Sequence, residues 1–458
     1  MLSKLPDYDD LIPAQYPRLQ GDVVTLADDR VFGFQEYRFW HDVKDRKPVQ
    51  TSSPRSTPTA SHIETATETS SQASILLKDD DTKELVVFLI PGLPGSRFFH
   101  HPDLSSRAET PPFEDDDDRP RRRNGLESAS PSRAESTLKI RSHSRSGSSI
   151  NSDPTKRLVR LFVLERPGIG LSTPSRRGFL DFASDVREFC HNKAITRFSL
   201  IAYSAGGPFG LAVAHQLGRP CTESPLCVKA AIISSTAPHI APGLYHNMPL
   251  KFKLAWFLAR YAPGVLAWLV YAEARKVLRD PLKASRDARL EACLADQEYL
   301  KAHPETERMF LESMLEMYTR GQVSTECWEY ELWGREWGFR LDEIGGRVAA
   351  PGGGKEMVGS KIGLRVGSKA GSKADVRSVR SKETASRDES SISSRDESVE
   401  GGVRVKVWHG EEDGGTTLAM GKYIAEQIPD AEASYVPGKG HYLYFEVWDE
   451  VLDWFARG

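Results

Sequence analysis

The sequence predicts an α/β fold with a mostly parallel central sheet flanked by helices, and three observations predict it. The continuous apolar run Leu85 to Ile90, and the mainly apolar stretches Val159 to Leu164 and that holding Leu200 and Ile201, all of strand length, mark buried strands. Segments with helical spacing alternate with these runs, as parallel strands joined by crossover helices require. The strands lead into turns of small, Gly- or Pro-containing sequence, "PGLPGS", "ERPGIG", "AYSAGG" and "HGEEDGG". Active sites of open parallel sheets collect at such strand ends.

In chain order, "GDVVTLADDRVFGFQEYRF" alternates polar and apolar residues around the turn "ADDR" and reads as a hairpin. The run from Leu85 to Ile90 is the first buried strand, and the proline- and glycine-rich "PGLPGS" makes a stiff loop after it. A second buried strand, Val159 to Leu164, precedes the loop "ERPGIG". Phe179, Phe182, Val186 and Phe189 recur at helical spacing and predict a helix over "FLDFASDVREFCHNKAI". Next come a short strand, a sharp turn at Ser204, and a helix whose face carries Leu211, Val213, Ala214 and Leu217. "VKAAIISS" adds another strand. From Gly243 to about Phe339 only helices are credible, and residues 243–340 read as an all-helical cap inserted between strands of the sheet. The sheet resumes with "VRVKVW", a helix "LAMGKYIAEQI", a strand "ASYVP" and a last helix "FEVWDEVLDWFARG". The α/β core is thus expected in two parts, 1–242 and 341–458.

Three segments interrupt this pattern: 49–80, rich in Ser, Thr and Ala; 102–156, with the runs "EDDDD" and "RPRRR"; and 348–401, which repeats "GSK" three times and "SRDES" twice. They hold too few large apolar groups to offset the entropy of ordering a chain, so disordered insertions are expected, with phosphorylatable linkers favoured over RNA-binding tails. The net charge is −3 and the charges are mixed, which argues against nucleic acid as a main partner. Five scattered cysteines without a C-x-x-C pair argue against a disulfide framework and a zinc site, and point to a reducing, cytoplasmic compartment. The opening "MLSKLPDYDDLIP" lacks the apolar core of a secretion signal.

The stretch "LAWFLARYAPGVLAWLVYA", Leu254 to Ala272, approaches spanning length. Arg260 lies inside it and Pro263-Gly264 break it, so two short amphipathic helices are expected and no transmembrane span. A greasy lid over a substrate pocket is the favoured role, with weak peripheral contact to a bilayer as the alternative.

Ala202-Tyr203-Ser204-Ala205-Gly206 matches the nucleophile elbow G-x-S-x-G with alanine at the first glycine. A serine hydroxyl is a weak nucleophile near neutral pH; it needs a base, and the base needs an orienting acid. His441 in "GKGHY" and Asp413 in "HGEEDGG" follow predicted strands, with Glu411 and Glu412 competing for the acid role. The order Ser204, Asp413, His441 is that of the α/β-hydrolase triad. An oxyanion hole needs two fixed N–H donors: Ala205 supplies one, and Leu93, with Gly92 as the fallback, supplies the other, because Pro91 and Pro94 have no N–H.

These motifs together resemble the α/β-hydrolase superfamily, specifically its capped fold-1 group. "PGLPGSR" looks like the family's oxyanion loop H-G-x-P-G-x-R, "ERPGIGLST" like D-R-P-G-x-G-x-S, "AYSAGG" like the elbow, and "HGEED" and "GKGH" like the acid and base segments. Pro91 and Ala202 depart from the usual histidine and glycine. The resemblance implies the α/β-hydrolase fold and a serine hydrolase that cleaves an ester, thioester or amide without metal or cofactor. Serine at the elbow disfavours epoxide hydrolase and dehalogenase chemistry, which use aspartate there. Tyr203, Trp256, Trp333 and Trp337, with Phe257 and Trp268, are candidate wall residues for a hydrophobic small-molecule substrate. The alternatives are a lyase or acyltransferase on the same triad, or a catalytically silent binding protein.

Overall fold

A computed structural model describes residues 21–43, 84–104, 156–219, 224–320, 323–345 and 402–457. The expected insertions 49–80 and 348–401 lie outside the described residues, as does Cys221. So does the insertion 102–156, except at its ends: Leu104 is buried in the core and Lys156 opens a strand, so both boundaries move inward.

The strands are β1 (Asp22–Thr25), β2 (Val31–Asp42), β3 (Glu84–Ile90), β4 (Lys156–Leu164), β5 (Arg197–Tyr203), β6 (Leu226–Ile233), β7 (Arg404–Gly410) and β8 (Glu432–Val436). They form one sheet in the order β1-β2-β4-β3-β5-β6-β7-β8. β2 pairs antiparallel with β1 and β4, and the pairings from β4 to β8 are parallel. This is the mostly parallel, helix-flanked sheet that the sequence predicts.

Alternation along the central strands builds two core layers, because successive side chains leave opposite faces. On one face Phe88, Ile90, Leu200 and Ala202 pack with Phe182, Val186 and Phe189 of α1 (Phe179–Asn192) and with α2 (Gly207–Leu217) and α9 (Leu418–Gln427). On the other, Val87, Leu89, Ile201 and Tyr203 pack with α10 (Leu443–Glu446) and α11 (Trp448–Ala456). The single last helix expected from "FEVWDEVLDWFARG" is therefore two, parted at Val447. Lys229 of β6 turns its ammonium to the carbonyls at the end of α11, donating to Trp454 O at 2.8 Å and Phe455 O at 3.2 Å. Buried cations at a helix C-terminus satisfy carbonyls that have no intrahelical partner.

Between β6 and β7 the described residues hold six α-helices: α3 (Leu250–Tyr261), α4 (Pro263–Arg279), α5 (Pro281–Glu291), α6 (Leu294–Ala302), α7 (Pro304–Thr319) and α8 (Val323–Trp333). Four of them open with or just after a proline, whose missing N–H is harmless in the first turn. The apolar stretch breaks at Ala262 between α3 and α4, as Pro263 requires. Among the described residues no helix is long and apolar enough to cross a membrane.

Candidate active site

Ser204 sits where β5 passes through a single 3₁₀ turn, Ser204–Gly206, into α2. Its φ is +55°, in the left-handed region that side chains other than glycine rarely adopt. Such a backbone costs about 1–3 kcal/mol and persists only where the surroundings over-determine it. The surroundings here are crowded. A Cβ on Gly206 would come within 2.3 Å of Ile90 O and 2.5 Å of Pro91 O, so the turn after the serine needs glycine. Ala202, standing where the elbow pattern has glycine, turns its methyl to Gly210 of α2; a Cβ at Gly210 would lie 2.3 Å from it. The extra methyl at one position is matched by the missing one at the other.

The His441 ring bridges serine and acid: Nε2 is 2.9 Å from Ser204 Oγ and Nδ1 is 2.8 Å from Asp413 Oδ2. Asp413 Oδ1 accepts the N–H groups of Gly415 and Thr416, both at 2.9 Å, so the carboxylate is anchored on the side facing away from the imidazole. The Thr416 hydroxyl lies 2.7 Å from Asp413 Oδ2 and 2.7 Å from Ser234 O. Glu411 and Glu412, the competing acids, stand exposed on the turn before Asp413. Burial pushes the Asp413 carboxyl up, but the neighbouring His441 and the hydrogen bonds it accepts outweigh this and hold it below its ordinary value. Burial likewise pulls the His441 imidazole down, and the Asp413 carboxylate outweighs it, leaving the ring more basic than usual.

Further groups, to which the sequence motifs assigned no role, hold this relay in place. Asp296, buried at the start of α6, accepts the N–H of His441 at 2.9 Å through Oδ2 and the N–H of Tyr442 at 2.9 Å through Oδ1. Gly440 makes that approach possible: a Cβ there would lie 2.4 Å from Asp296 Oδ1 and 2.4 Å from Cys293 Sγ. The Tyr203 hydroxyl donates to the His441 carbonyl at 3.1 Å, and its ring stacks on Phe99. His409 is fully buried under the acid loop, where burial pulls its pKa down; neutral, it donates through Nε2 to Thr416 O at 2.7 Å. The glycine before His441 was a sign of close approach, whereas nothing near Asp296 marks it in the sequence.

The loop after β3 lies directly against the serine. A Cβ on Gly92 would meet Ser204 Cβ at 2.6 Å and Oγ at 2.9 Å. Buried Arg166, from "ERPGIG", secures this loop by donating to the carbonyls of Pro91 and, at 3.3 Å, Gly92, while its Nε donates to Glu329 of α8 at 2.7 Å. Leu93 is partly buried and Ala205 almost wholly so.

Gly92, Leu93, Tyr203 and His441 open onto a cavity of about 150 Å³. Its far walls come from α5, α6 and α7: Leu300, Phe310, Leu311 and Met314 are apolar, and Ser285, Arg289 and Glu307 form a polar edge. There Arg289 Nη1 donates to Glu307 Oε2 at 2.8 Å and Ser285 Oγ to Glu307 Oε1 at 3.0 Å. Of the candidate wall residues only Tyr203 lines this cavity. Trp256 and Trp333 pack against each other in the core, ring centroids 6.0 Å apart and tilted by 34°, and Trp337 packs edge-on against Phe179. Phe257 and Trp268 point outward. Helical spacing shows that a face is apolar but not what it meets, and here it meets core or solvent rather than the cavity.

No family model matches the sequence, and no curated protein matches it. The structure is similar to a thermophilic esterase from Thermogutta terrifontis, with 11% identity and a TM-score of 0.46 over 96% of this chain and 98% of that one. It is similar to an esterase from Rhodococcus sp. ECU1013, with 11% identity and a TM-score of 0.45 over 96% and 99%. It is also similar to the enol-lactonase of Burkholderia xenovorans LB400, with 11% identity and a TM-score of 0.44 over 95% and 100%.

Proposed function

We propose that the chain is a serine hydrolase that cleaves an ester, thioester or amide of a hydrophobic small molecule through an acyl-enzyme. One observation carries this: Ser204, His441 and Asp413 form an unbroken hydrogen-bonded relay, 2.9 and 2.8 Å long, at the ends of three strands of one sheet. His441 Nε2 takes the hydroxyl proton as Ser204 Oγ attacks the carbonyl carbon, and Asp413 stabilises the imidazolium that forms. The N–H groups of Ala205 and Leu93 receive the oxyanion, a contribution of order 10²–10³ in rate per donor. Collapse of the tetrahedral intermediate expels the leaving group, which takes the proton back from His441. Water, activated by the same imidazole, then releases the acid and restores Ser204. The apolar wall of Phe99, Phe310, Leu311 and Met314 suits an acyl chain, and the helical block 243–340 serves as the cap that closes over it.

The test is labelling of the purified full chain with a fluorophosphonate, comparing wild type with Ser204→Ala and His441→Ala. Labelling of the wild type that vanishes in both variants is expected, and a screen of acyl esters, thioesters and amides follows from it. A folded wild-type protein that does not label overturns the proposal.

A further inference from the structure

More than half of the large apolar side chains that stand exposed among the described residues lie on α3 and α4. Leu250, Leu254, Phe257 and Tyr261 follow each other at i, i+4, i+7 and i+11 and so share one side of α3; Val265 and Trp268 extend the stripe across the break. Leu250 is 80% exposed, Tyr261 68% and Trp268 65%, so these side chains are not the margins of a buried face. The inward face is separate: Trp256, Leu258 and Ala259 of α3 and Leu266 and Val270 of α4 are buried. The helix pair is therefore apolar on two sides, and the fold uses only one. The lid role expected for this segment is not where the structure puts it, because the cavity beside His441 is walled by α5, α6 and α7.

Charge selects the occupant of the outer face. From Leu244 to Ala272 the sequence holds no Asp or Glu, but it holds Lys251, Lys253 and Arg260. Lys251 pairs with Glu291 of α5, and Arg260 donates to Gly334 O at 2.6 Å with its guanidinium 5.8 Å from the Tyr261 ring. An isologous contact with a second copy would set Lys253 and Arg260 against their counterparts, with no acid between Leu244 and Ala272 to offset them. The segments 49–80, 102–156 and 348–401 are too poor in large apolar residues to cover the stripe. An anionic bilayer surface meets both requirements: Phe and Leu enter the acyl boundary, Trp and Tyr sit at headgroup level, and Lys and Arg stems snorkel to the phosphates.

We propose that α3 and α4 form a docking face that lays the protein on an anionic phospholipid surface without crossing it. The face is independent of the hydrolytic proposal, and its test does not use turnover. The full chain is sedimented with vesicles of phosphatidylcholine containing phosphatidylserine and with vesicles of phosphatidylcholine alone, for wild type, Phe257→Asp, Trp268→Asp and Lys253→Glu, with circular dichroism confirming that each variant is folded. Binding to the anionic vesicles is expected, falling at least about tenfold in each aspartate variant and less in Lys253→Glu, and weakening with added salt. Absence of vesicle binding overturns the proposal, as does equal binding to both vesicle types or full retention in Trp268→Asp. A wild-type dimer that Trp268→Asp dissociates, without vesicle binding, overturns it in favour of a second copy.

Discussion

The loop after β7 and the helical block each bring a buried carboxylate to His441, and they act on different parts of it. Asp413 meets the ring at Nδ1, from a turn twenty-eight residues away in sequence, on the neighbouring strand end. Asp296 meets the backbone N–H of the same residue from α6, on a helix inserted far upstream, 145 residues away. The first holds the tautomer of the imidazole and raises its basicity most, with a smaller contribution from the second, which holds the loop carrying it. The ring's partner thus stands on the sheet, while the loop of His441 is also held by the helices that wall the cavity. α6 thus touches both the loop of His441, through Asp296, and the cavity, through Leu300.

Breaking the ring side of the comparison has the largest effect. Asp413→Asn keeps the size of the side chain but offers an N–H to Nδ1, favouring the tautomer that cannot accept the serine proton at Nε2. A loss of about 10⁴-fold in the labelling rate is expected, measured as the second-order rate with fluorophosphonate. Asp296→Asn, on the backbone side, leaves one of the two N–H groups of His441 and Tyr442 unpaired. About 1–2 kcal/mol of positioning, or roughly tenfold in the same rate, is the expected loss. The two variants separate in their pH profiles. Because Asp413 raises the His441 pKa and the neutral ring is the proposed base, wild-type labelling is expected to fall with acidification around a midpoint above the ordinary histidine value of about 6.5. Asp296→Asn is expected to retain most of that elevation, since Asp413 remains, whereas residual labelling by Asp413→Ala titrates at lower pH.

Gly440→Ala sharpens the comparison from the other end, since its methyl would occupy the space of Asp296 Oδ1 and Cys293 Sγ. A loss of about 1–3 kcal/mol in unfolding free energy is expected from denaturant titration, with slower labelling than wild type. The smallest effect belongs to Ala202→Gly. It restores the usual elbow glycine but leaves the space facing Gly210 empty and loosens a strand, costing about 1 kcal/mol of stability with the labelling rate unchanged.

The relay was legible because each member ends a strand in a turn with a distinctive local composition: Ser204 among alanine and glycine, Asp413 before Gly414-Gly415, His441 after Gly440. The hairpin, the two-sided core strands and the break at Pro263 followed from periodicity and proline alone. The misplaced residues have a common cause. Trp256, Trp333 and Trp337 were candidates for the cavity because they are large, apolar and clustered in sequence, properties that a core aromatic and a substrate wall share. Arg166 lay inside a recognised motif, yet its grip on the Pro91 and Gly92 carbonyls depends on how two loops face each other.

Local pattern by itself determined the α/β architecture, the serine at a strained strand-to-helix turn, and the strand-end turns that carry the acidic cluster and His441. Backbone propensity, side-chain alternation and turn chemistry act over a few residues and so are written in contiguous sequence. Tertiary structure alone decided that Asp413 rather than Glu411 or Glu412 faces His441, that Asp296 holds the loop of the base, and that α5, α6 and α7 rather than α3 and α4 wall the cavity. Those outcomes depend on the packing of elements far apart in the chain, where an ångström of displacement makes or breaks a hydrogen bond and no short segment carries the information.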